Sequence, residues 1–392
     1  MNYKILTLLI FNLLFFNFSS AQKQKQTSFE LKVNLQGTCS YKKLYLYYIN
    51  YKNENIIDSA SVSNNETKFK FSIKYPTQVS LSIKKYINSM FIYLEPKNST
   101  VFMDALTLEV TRFDNNKTQS EYLELNKSKK DIFDKFEIIR LEDKNSYDQI
   151  KNSKDTLLIK ELNNKMDANR TILNKYEFEM AEIDLKFAAK NPKSYLTPYL
   201  LSYILKRFDD NKYVKTIDLI FNKLDPKIKK TYTGNEVRKD LLGFKNSAVG
   251  SKAPNFELKD INGNLVSLKT LKNKCFLIDF WASWCGPCRQ DFPFVKEMYK
   301  KYQSKGFEVL SLDYHDDMEP WKKAIKAENT EAFINVFGDE INTTVSKNYF
   351  VTAIPTKILV DKNGIIVGRW VGNGENNDIG IQKKLNEIFE QK

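Results

Sequence analysis

Two cysteines separated by two residues stand between a run of apolar residues and a helical pattern. Residues 275–280 are almost wholly apolar, which is typical of a strand buried on both faces. Cys285 and Cys288 follow this run. Apolar residues then recur at helical spacing, at Val295, Met298, Tyr299 and Tyr302. The order predicts a strand, a short turn and an amphipathic helix, and it favours an α/β domain with both cysteines at the helix start.

The position of the first cysteine predicts its chemistry. At a helix N-terminus, unpaired amides and the helix dipole favour a thiolate over a thiol, so Cys285 is the candidate nucleophile. A thiolate is the attacking species in disulfide exchange. Cys288 lies further into the helix, where a less accessible thiol can resolve a mixed disulfide. Pro287 is tolerated because amides of the first turn have no partner within the helix.

Other uses of a cysteine pair fit less well. A zinc site needs two further ligands, but Cys39 and Cys275 are isolated and His315 is the only histidine. Covalent haem attachment needs a histidine directly after the second cysteine, where Arg289 stands. An inert structural disulfide stays open as an alternative. We therefore expect a redox-active disulfide between Cys285 and Cys288, with no metal and no other cofactor.

Charge is distributed unevenly along the 392 residues, whose formal net charge is +13. Residues 251–392 carry 20 Lys and Arg against 19 Asp and Glu, so the front part of the chain holds most of the excess. The basic residues there are mostly Lys scattered among Glu and Asn, which is typical of a solvated surface. We expect no nucleic-acid partner.

The first residues resemble a secretion signal. Lys4 precedes an apolar run over residues 5–18, and Ser19, Ser20 and Ala21 offer small residues for cleavage. We predict a signal peptide over residues 1–21, with export to the periplasm or cell envelope. A retained anchor is the alternative; after cleavage we expect no membrane-spanning segment.

Composition and periodicity divide the remainder into four parts. Residues 22–112 alternate apolar and polar side chains between turn residues, which predicts a small antiparallel β-sandwich. Residues 113–242 show helical spacing, and residues 243–253 form a small, polar candidate linker. Residues 254–392 alternate strands and helices. We expect the linker to separate two cores that need not share contacts.

Residues 250–392 resemble the thioredoxin superfamily, and within it the exported TlpA/ResA branch. The resemblance rests on the opening at residues 253–256, the W-C-G-P-C core at residues 284–288, and Ile354-Pro355-Thr356, which is similar to the family's cis-proline loop. It implies a thioredoxin fold, Cys285 as nucleophile and Cys288 as resolving thiol. It also implies a cis Pro355 beside the site, with the Ile354 backbone pairing to an incoming peptide. The front part resembles the β-sandwich-plus-helices region that precedes many such domains.

Asp279 matches, by position, the buried acid beneath the thioredoxin disulfide. It is the only charged residue in the apolar run, and a buried carboxyl can exchange a proton near neutrality. We interpret Asp279 as a catalytic proton-transfer group; a solvent-facing position at the strand end is the alternative. The lysine that partners this acid in thioredoxin is not evident in the corresponding strand, residues 309–313.

Two tryptophans flank the motif. Trp284 is predicted to form part of the surface on which substrates dock, whereas Trp281 is interpreted as packing. His315 lies among three aspartates in residues 313–317, a segment that we interpret as a surface loop.

These observations favour an envelope thiol–disulfide oxidoreductase that reduces protein disulfides. Its expected partners are protein disulfide or dithiol substrates and a membrane-embedded thiol donor, because an exported reductant needs a source of electrons. Two alternatives stay open. One is a thiol peroxidase of the same fold, although Ile278 and Ala282 stand where peroxiredoxins carry Pro and Thr. The other is a binding or assembly module in which the N-terminal domain has the main role.

Overall fold

The computed structural model describes residues 28–84, 87–208, 212–338 and 344–390. The predicted signal peptide, residues 1–21, lies outside the described residues. The chain divides into two compact units, residues 1–116 and 117–392, and each is described by itself.

The first unit is a β-sandwich. Its strands are β1 (Phe29–Gln36), β2 (Lys43–Ile49), β3 (Asn55–Ser61), β4 (Glu66–Phe71), β5 (Thr77–Lys84), β6 (Ile87–Leu94), β7 (Ser99–Asp104) and β8 (Val110–Phe113). They form two four-stranded sheets, ordered β4-β1-β7-β8 and β3-β2-β5-β6. Alternate residues of both sheets meet in one core, including Leu31, Val33, Leu46, Phe69, Leu81 and Val101. The predicted sandwich is confirmed.

One strand pair differs from the predicted antiparallel arrangement. β1 and β7 run parallel, with Val33 opposite Val101. The other pairs that the described strands of these sheets form are antiparallel. Alternation of apolar and polar residues shows which side chains face the core, but it is the same for both strand directions.

The second unit begins with a helical region. Its helices are α1 (Lys117–Asn152), α2 (Thr156–Lys190), α3 (Thr197–Arg207), α4 (Val214–Lys223), α5 (Pro226–Lys229) and α6 (Tyr232–Asn246). Asp155 begins α2, because its side chain accepts hydrogen bonds from the Leu157 and Leu158 amides. Although α1 and α2 are long, no helix within the described ranges has both the length and the apolarity that crossing a membrane requires.

The thioredoxin-like region follows. Its strands are β9 (Glu257–Lys259), β10 (Leu265–Ser267), β11 (Cys275–Trp281), β12 (Phe307–Asp313), β13 (Ile334–Val336), β14 (Thr356–Val360) and β15 (Ile366–Val371). Its helices are α7 (Gly286–Tyr302), α8 (Met318–Glu328), α9 (Ser346–Asn348) and α10 (Glu375–Phe389). The central sheet has the order β13-β12-β11-β14-β15. β11, β12 and β13 are parallel, while β14 and β15 are antiparallel additions, as the predicted thioredoxin fold requires.

All seven residues of β11 are buried, and the pleat sends them alternately into two cores. Even-numbered residues such as Phe280 pack on one side of the sheet, with the β9–β10 hairpin region. Odd-numbered residues such as Trp281 pack on the other side, in the cluster that contains Cys285 and Cys288. Asp279 therefore lies on the same face of the sheet as the two cysteines.

The helical region and the thioredoxin-like region share a core. Phe350 belongs to the apolar cluster of the helical region, where its ring meets Phe244 edge-on at 5.6 Å between centroids. The candidate linker, residues 243–253, begins inside α6, which continues to Asn246. The expectation that the two cores need not share contacts is therefore wrong at Phe350. Periodicity identifies an apolar face but not the element that covers it.

We expect Gly243→Ala to destabilise the second unit. A Cβ atom at residue 243 would lie 2.3 Å from the backbone carbonyl oxygen of Lys347, so α6 and α9 would have to separate. Strain of this kind typically lowers the free energy of unfolding by about 1–3 kcal/mol. Urea unfolding followed by circular dichroism measures it. Leu242→Ala is the control, because Leu242 is exposed on the same helix; equal stabilities of the two variants would contradict the prediction.

Candidate active site

Cys285 is the N-cap of α7. Its Sγ accepts a hydrogen bond from the Cys288 amide at 3.2 Å, so the sulfur itself satisfies an amide of the first turn. The two cysteines are joined by a disulfide, with their Cα atoms 5.3 Å apart. Cys285 is 5% exposed and Cys288 is 1% exposed. The first sulfur is therefore the more accessible of the two.

The electrostatic support for a Cys285 thiolate comes from the backbone. When the disulfide is open, the same first-turn amides and the helix dipole face the sulfur. Arg289, the nearest cationic residue in the sequence, binds Glu328 with 2.7 Å between Nη2 and Oε1. Its charge is thus engaged by a carboxylate on α8. The arrangement favours the thiolate through the helix terminus and not through a paired side chain.

Trp284 is held in an exposed position beside Cys285. Its side chain is 60% exposed, and its indole N–H donates to the His315 carbonyl at 3.1 Å. Ser283 is held by Asp316, whose carboxylate accepts hydrogen bonds from the Ser283 amide and, at 2.9 Å, from its hydroxyl. The segment interpreted as a surface loop therefore contacts the active-site turn. Sequence reasoning missed Asp316, since spacing along the chain does not reveal contacts between separate loops.

Pro355 lies at the same edge of the sheet as the disulfide. Thr356, which begins β14, is opposite Phe280 near the end of β11, and the cysteine turn follows that end. The Ile354–Pro355 peptide bond is cis. Ile354 packs against the cluster that contains both cysteines. Among the described residues, no hydrogen-bond partner is found for the Ile354 amide or carbonyl.

Asp279 is buried beneath this site and does not face solvent at the strand end. It is 2% exposed, and its Oδ1 lies 3.6 Å from the Nζ of Lys357, its cross-strand neighbour on β14. Lys357 also contacts Asp291 of α7, with 2.6 Å between Nζ and Oδ2. Asp291 follows Cys288 by one turn on the buried face of the helix.

The structure thus supplies a lysine partner that strand β12 does not offer. It comes from β14, on one side of β11, and not from β12 on the other. A signal was available for both missed residues: Lys357 is the only charged residue in the apolar strand 356–360. Asp291 falls on the helix stripe that includes Cys288, Phe292 and Val295. Charged residues at core positions indicate buried ionic contacts.

Burial is the main influence on the two central groups. It raises the pKa of Asp279, an effect that Lys357 opposes and Asp291 strengthens. Burial alone would lower the pKa of Lys357, but the two neighbouring carboxylates outweigh it and raise that pKa. The raised pKa of Asp279 extends the pH range in which its carboxyl is protonated, and the raised pKa of Lys357 favours the charged ammonium.

The remaining cysteines stand apart from this chemistry. Burial raises the pKa of Cys275 to about 12, which is unfavourable for a reactive thiolate. Cys39 is in the β-sandwich, where its thiol donates to the Tyr41 carbonyl at 3.3 Å.

Comparisons with known proteins match the front part and the C-terminal part of the chain separately. Residues 249–369 match a model described as the AhpC/TSA family, and residues 29–122 match one described as a domain of unknown function (DUF4369). A thiol-disulfide oxidoreductase ResA of Bacillus cereus is 33% identical over 124 residues, covering 32% of this chain and 70% of that protein. ResA of Bacillus subtilis (strain 168) is 30% identical over 125 residues, covering 32% and 68%.

A solved structure is also similar over the same part. The crystal structure of the thioredoxin domain of a thiol-disulfide oxidoreductase from Bacteroides vulgatus shares 32% sequence identity. The match covers 36% of this chain and 99% of that one, with a TM-score of 0.33.

A thioredoxin-type sheet with a C-x-x-C disulfide at a helix start defines a class, the thioredoxin-fold thiol–disulfide oxidoreductases. Over its C-terminal part, the chain belongs to the ResA-type family of these enzymes. The β-sandwich and the beginning of α1 correspond to the domain of unknown function.

Asp279→Asn is expected to stabilise the protein at neutral and alkaline pH. The substitution leaves one Lys357–Asp291 pair and removes the surplus carboxylate. Because the pKa of Asp279 is raised in the folded state, wild-type stability falls as pH rises from about 4 through the raised value. The free energy of unfolding of the variant does not decrease in this way. The difference in stability between variant and wild type is therefore absent at low pH, and it reaches about 1 kcal/mol or more at pH values above the raised pKa of Asp279.

Thermal or urea unfolding of both proteins between pH 4 and 9 measures this difference. Asp317→Asn is the matched control, since Asp317 is exposed and makes no capping hydrogen bond through its side chain. A gain that does not vary with pH would contradict the assignment of a raised pKa to Asp279.

Proposed function

We propose that the protein is an envelope enzyme that reduces protein disulfides, with Cys285 as nucleophile and Cys288 as resolving thiol. One observation carries the proposal: the Cys285 sulfur caps α7 and is bonded to a cysteine that is more deeply buried. A capped sulfur at a helix start forms a stable thiolate, and a buried partner resolves without competing for substrate.

In the first step, the Cys285 thiolate attacks one sulfur of a substrate disulfide. The substrate S–S bond breaks, a mixed disulfide with Cys285 forms, and the first substrate thiolate leaves and takes a proton from solvent. The helix terminus favours the attacking thiolate, which is lost when the new bond forms.

In the second step, Cys288 completes the transfer. Its thiol passes a proton to the Asp279 carboxylate and attacks the Cys285 sulfur. The enzyme disulfide forms as the second substrate thiolate leaves. Two electrons have then moved from the enzyme dithiol to the substrate. Asp279 is suited to this role because a carboxyl with a raised pKa accepts and returns protons more readily near neutral pH.

Trp284, Ile354 and Pro355 form the proposed docking surface. The exposed Trp284 indole offers a flat apolar contact beside Cys285. The Ile354 amide and carbonyl can pair with an extended peptide, as edge backbone groups do when a strand is added. A surface that binds mainly backbone suits a range of protein disulfides.

The direction of electron flow is proposed from the thiolate environment. Gly286 and Pro287 place no side-chain donor or cation between the cysteines, and Arg289 is bound to Glu328. Strong oxidants stabilise their thiolate more extensively, so a reducing couple is expected. A reductant in an oxidising compartment must be recharged, and we propose a membrane-embedded thiol donor. The signal-like residues 1–21 support the envelope location.

Trapping tests the roles of the cysteines. Cys288→Ser should accumulate mixed disulfides with substrate, because the first attack stays competent while resolution is lost. Cys285→Ala should abolish insulin reduction and trap nothing. Cys39→Ser is the matched control with unchanged activity, since Cys39 lies in the other compact unit. Faster alkylation of Cys288 than of Cys285 in the reduced protein would reverse the assignment, and peroxide consumption matching disulfide reduction would favour a thiol peroxidase.

The redox midpoint tests the direction. Equilibration of the full chain with glutathione or dithiothreitol buffers should give a value nearer to about −270 mV, typical of thioredoxin, than to about −120 mV, typical of strong disulfide-forming oxidants. A midpoint close to the second value would mean that the protein donates disulfides.

A further inference from the structure

Three ionisable side chains form a buried group beneath the disulfide. Asp279 comes from β11, Lys357 from β14 and Asp291 from α7, and all three are almost inaccessible to solvent. They lie in the layer between the sheet and α7, where Cys288 also lies. We call this group the buried triad.

The buried triad has one cation for two possible anions. With both carboxyls ionised it would hold a net negative charge in the core, which is costly away from water. The distances from Nζ show which of the two carboxyls Lys357 contacts more closely. Asp291 is in hydrogen-bond contact with Nζ at 2.6 Å, whereas Asp279 lies 3.6 Å away and its Oδ1 makes no hydrogen bond among the described residues.

Within the described part of the chain, the other charged groups near the triad are mostly acidic. Asp378 at the start of α10 is half-buried, and burial, with Asp291 nearby, raises its pKa. Glu375 lies one turn before it. On β12, Ser311 is opposite Asp279, and the buried Asp313 is opposite Trp281. Arg369 of β15 donates to the Tyr349 and Phe350 carbonyls. None of these supplies a second cation to the triad.

We propose that Asp291 is a positioning residue for the redox reaction: by holding the Lys357 ammonium, it leaves Asp279 as the carboxyl that exchanges a proton with Cys288. The proposal deepens the function proposed above and rests on it for the role of Cys288. Asp291 touches neither substrate nor sulfur in this scheme. It acts by withdrawing the cation that would otherwise keep Asp279 ionised.

The consequence is a proton balance that the enzyme can reverse. During substrate reduction, the proton of Cys288 moves to Asp279 as the enzyme disulfide forms. When a donor thiolate attacks Cys285, the enzyme S–S bond breaks, Cys288 leaves as a thiolate and Asp279 returns the proton. Lys357 and Asp291 stay paired throughout. As Asp279 takes up the proton, its negative charge passes through Cys288 to the departing substrate thiolate, and the reverse step restores it.

Infrared spectroscopy of the oxidised full-length protein tests the proposal directly. In the disulfide form neither redox cysteine titrates. The signal is the C=O stretch of a protonated carboxyl. Subtracting the spectrum of Asp279→Asn from that of the wild type isolates the contribution of Asp279. We expect Asp291→Asn to move the midpoint of this signal downwards by about 1 pH unit or more, because Lys357 is released to Asp279. Lys357→Met should move it upwards, because the opposing cation is gone.

Opposite shifts separate positioning from a merely structural role, which would move both variants in the same direction or neither. Asp378→Asn is the control, with a smaller downward shift expected from a carboxyl that does not contact Lys357. Each variant's fold is checked by circular dichroism; Asp291→Asn keeps one buried pair and is the variant expected to fold in every case. A wild-type protein without a protonated Asp279 signal, or an Asp291→Asn midpoint that is unmoved or raised, would overturn the proposal.

A second measurement keeps this result separate from the proposed function. The pH profile of mixed-disulfide resolution, taken with the reduced enzyme and a substrate disulfide, should shift in the same direction as the infrared midpoint in each variant. Retention of disulfide reduction by Cys285→Ala would refute the proposed function while leaving the infrared shifts interpretable. Infrared shifts without a matching change in the resolution profile would mean that Asp291 positions Lys357 but Asp279 does not serve Cys288.

Discussion

The complete burial of β11 is the constraint on which the active site depends. Every residue of this strand is enclosed, so its pleat must send each side chain into one of two cores. Asp279 is thereby forced into the layer beneath α7, where an ionised carboxylate is costly without a partner. The same layer holds Cys288, Asp291 and, across the strand pair, Lys357. The ionisable groups and the core side chains therefore lie in the same layer between the sheet and α7.

The end of β11 fixes the position of the Cys285 sulfur. The chain leaves the strand at Trp281, turns through Ser283 and Trp284, and enters α7 with Cys285 as the cap. That turn is held from outside by Asp316 and the His315 carbonyl, and Trp281 beneath it donates to Ser311. The turn that leads into α7 must hold the Cys285 sulfur in a fixed position, because a small displacement would remove the hydrogen bond from the Cys288 amide.

The helical region is more than a spacer before the catalytic part. α6 packs its Phe244 against Phe350 and brings Gly243 against the carbonyl of Lys347, close to the segment that leads into Pro355. This contact explains why the helical and thioredoxin-like regions form one compact unit. The β-sandwich has its own core and is the other unit, as its match to a separate domain family suggests.

The sequence alone determined the local features of this protein. Strand periodicity indicated the sandwich. The W-C-G-P-C segment between an apolar strand and an amphipathic helix indicated the fold, the cysteine pair and its place at the helix start, because these depend on neighbours within a few residues. The tertiary structure alone decided the partners of Asp279, the parallel β1–β7 pair and the contact between Phe244 and Phe350. Lys357 follows Asp279 by 78 residues, and only strand pairing brings them together. A charged residue in an apolar run predicts that a buried ionic partner exists, but the order of strands in the sheet determines which residue that partner is.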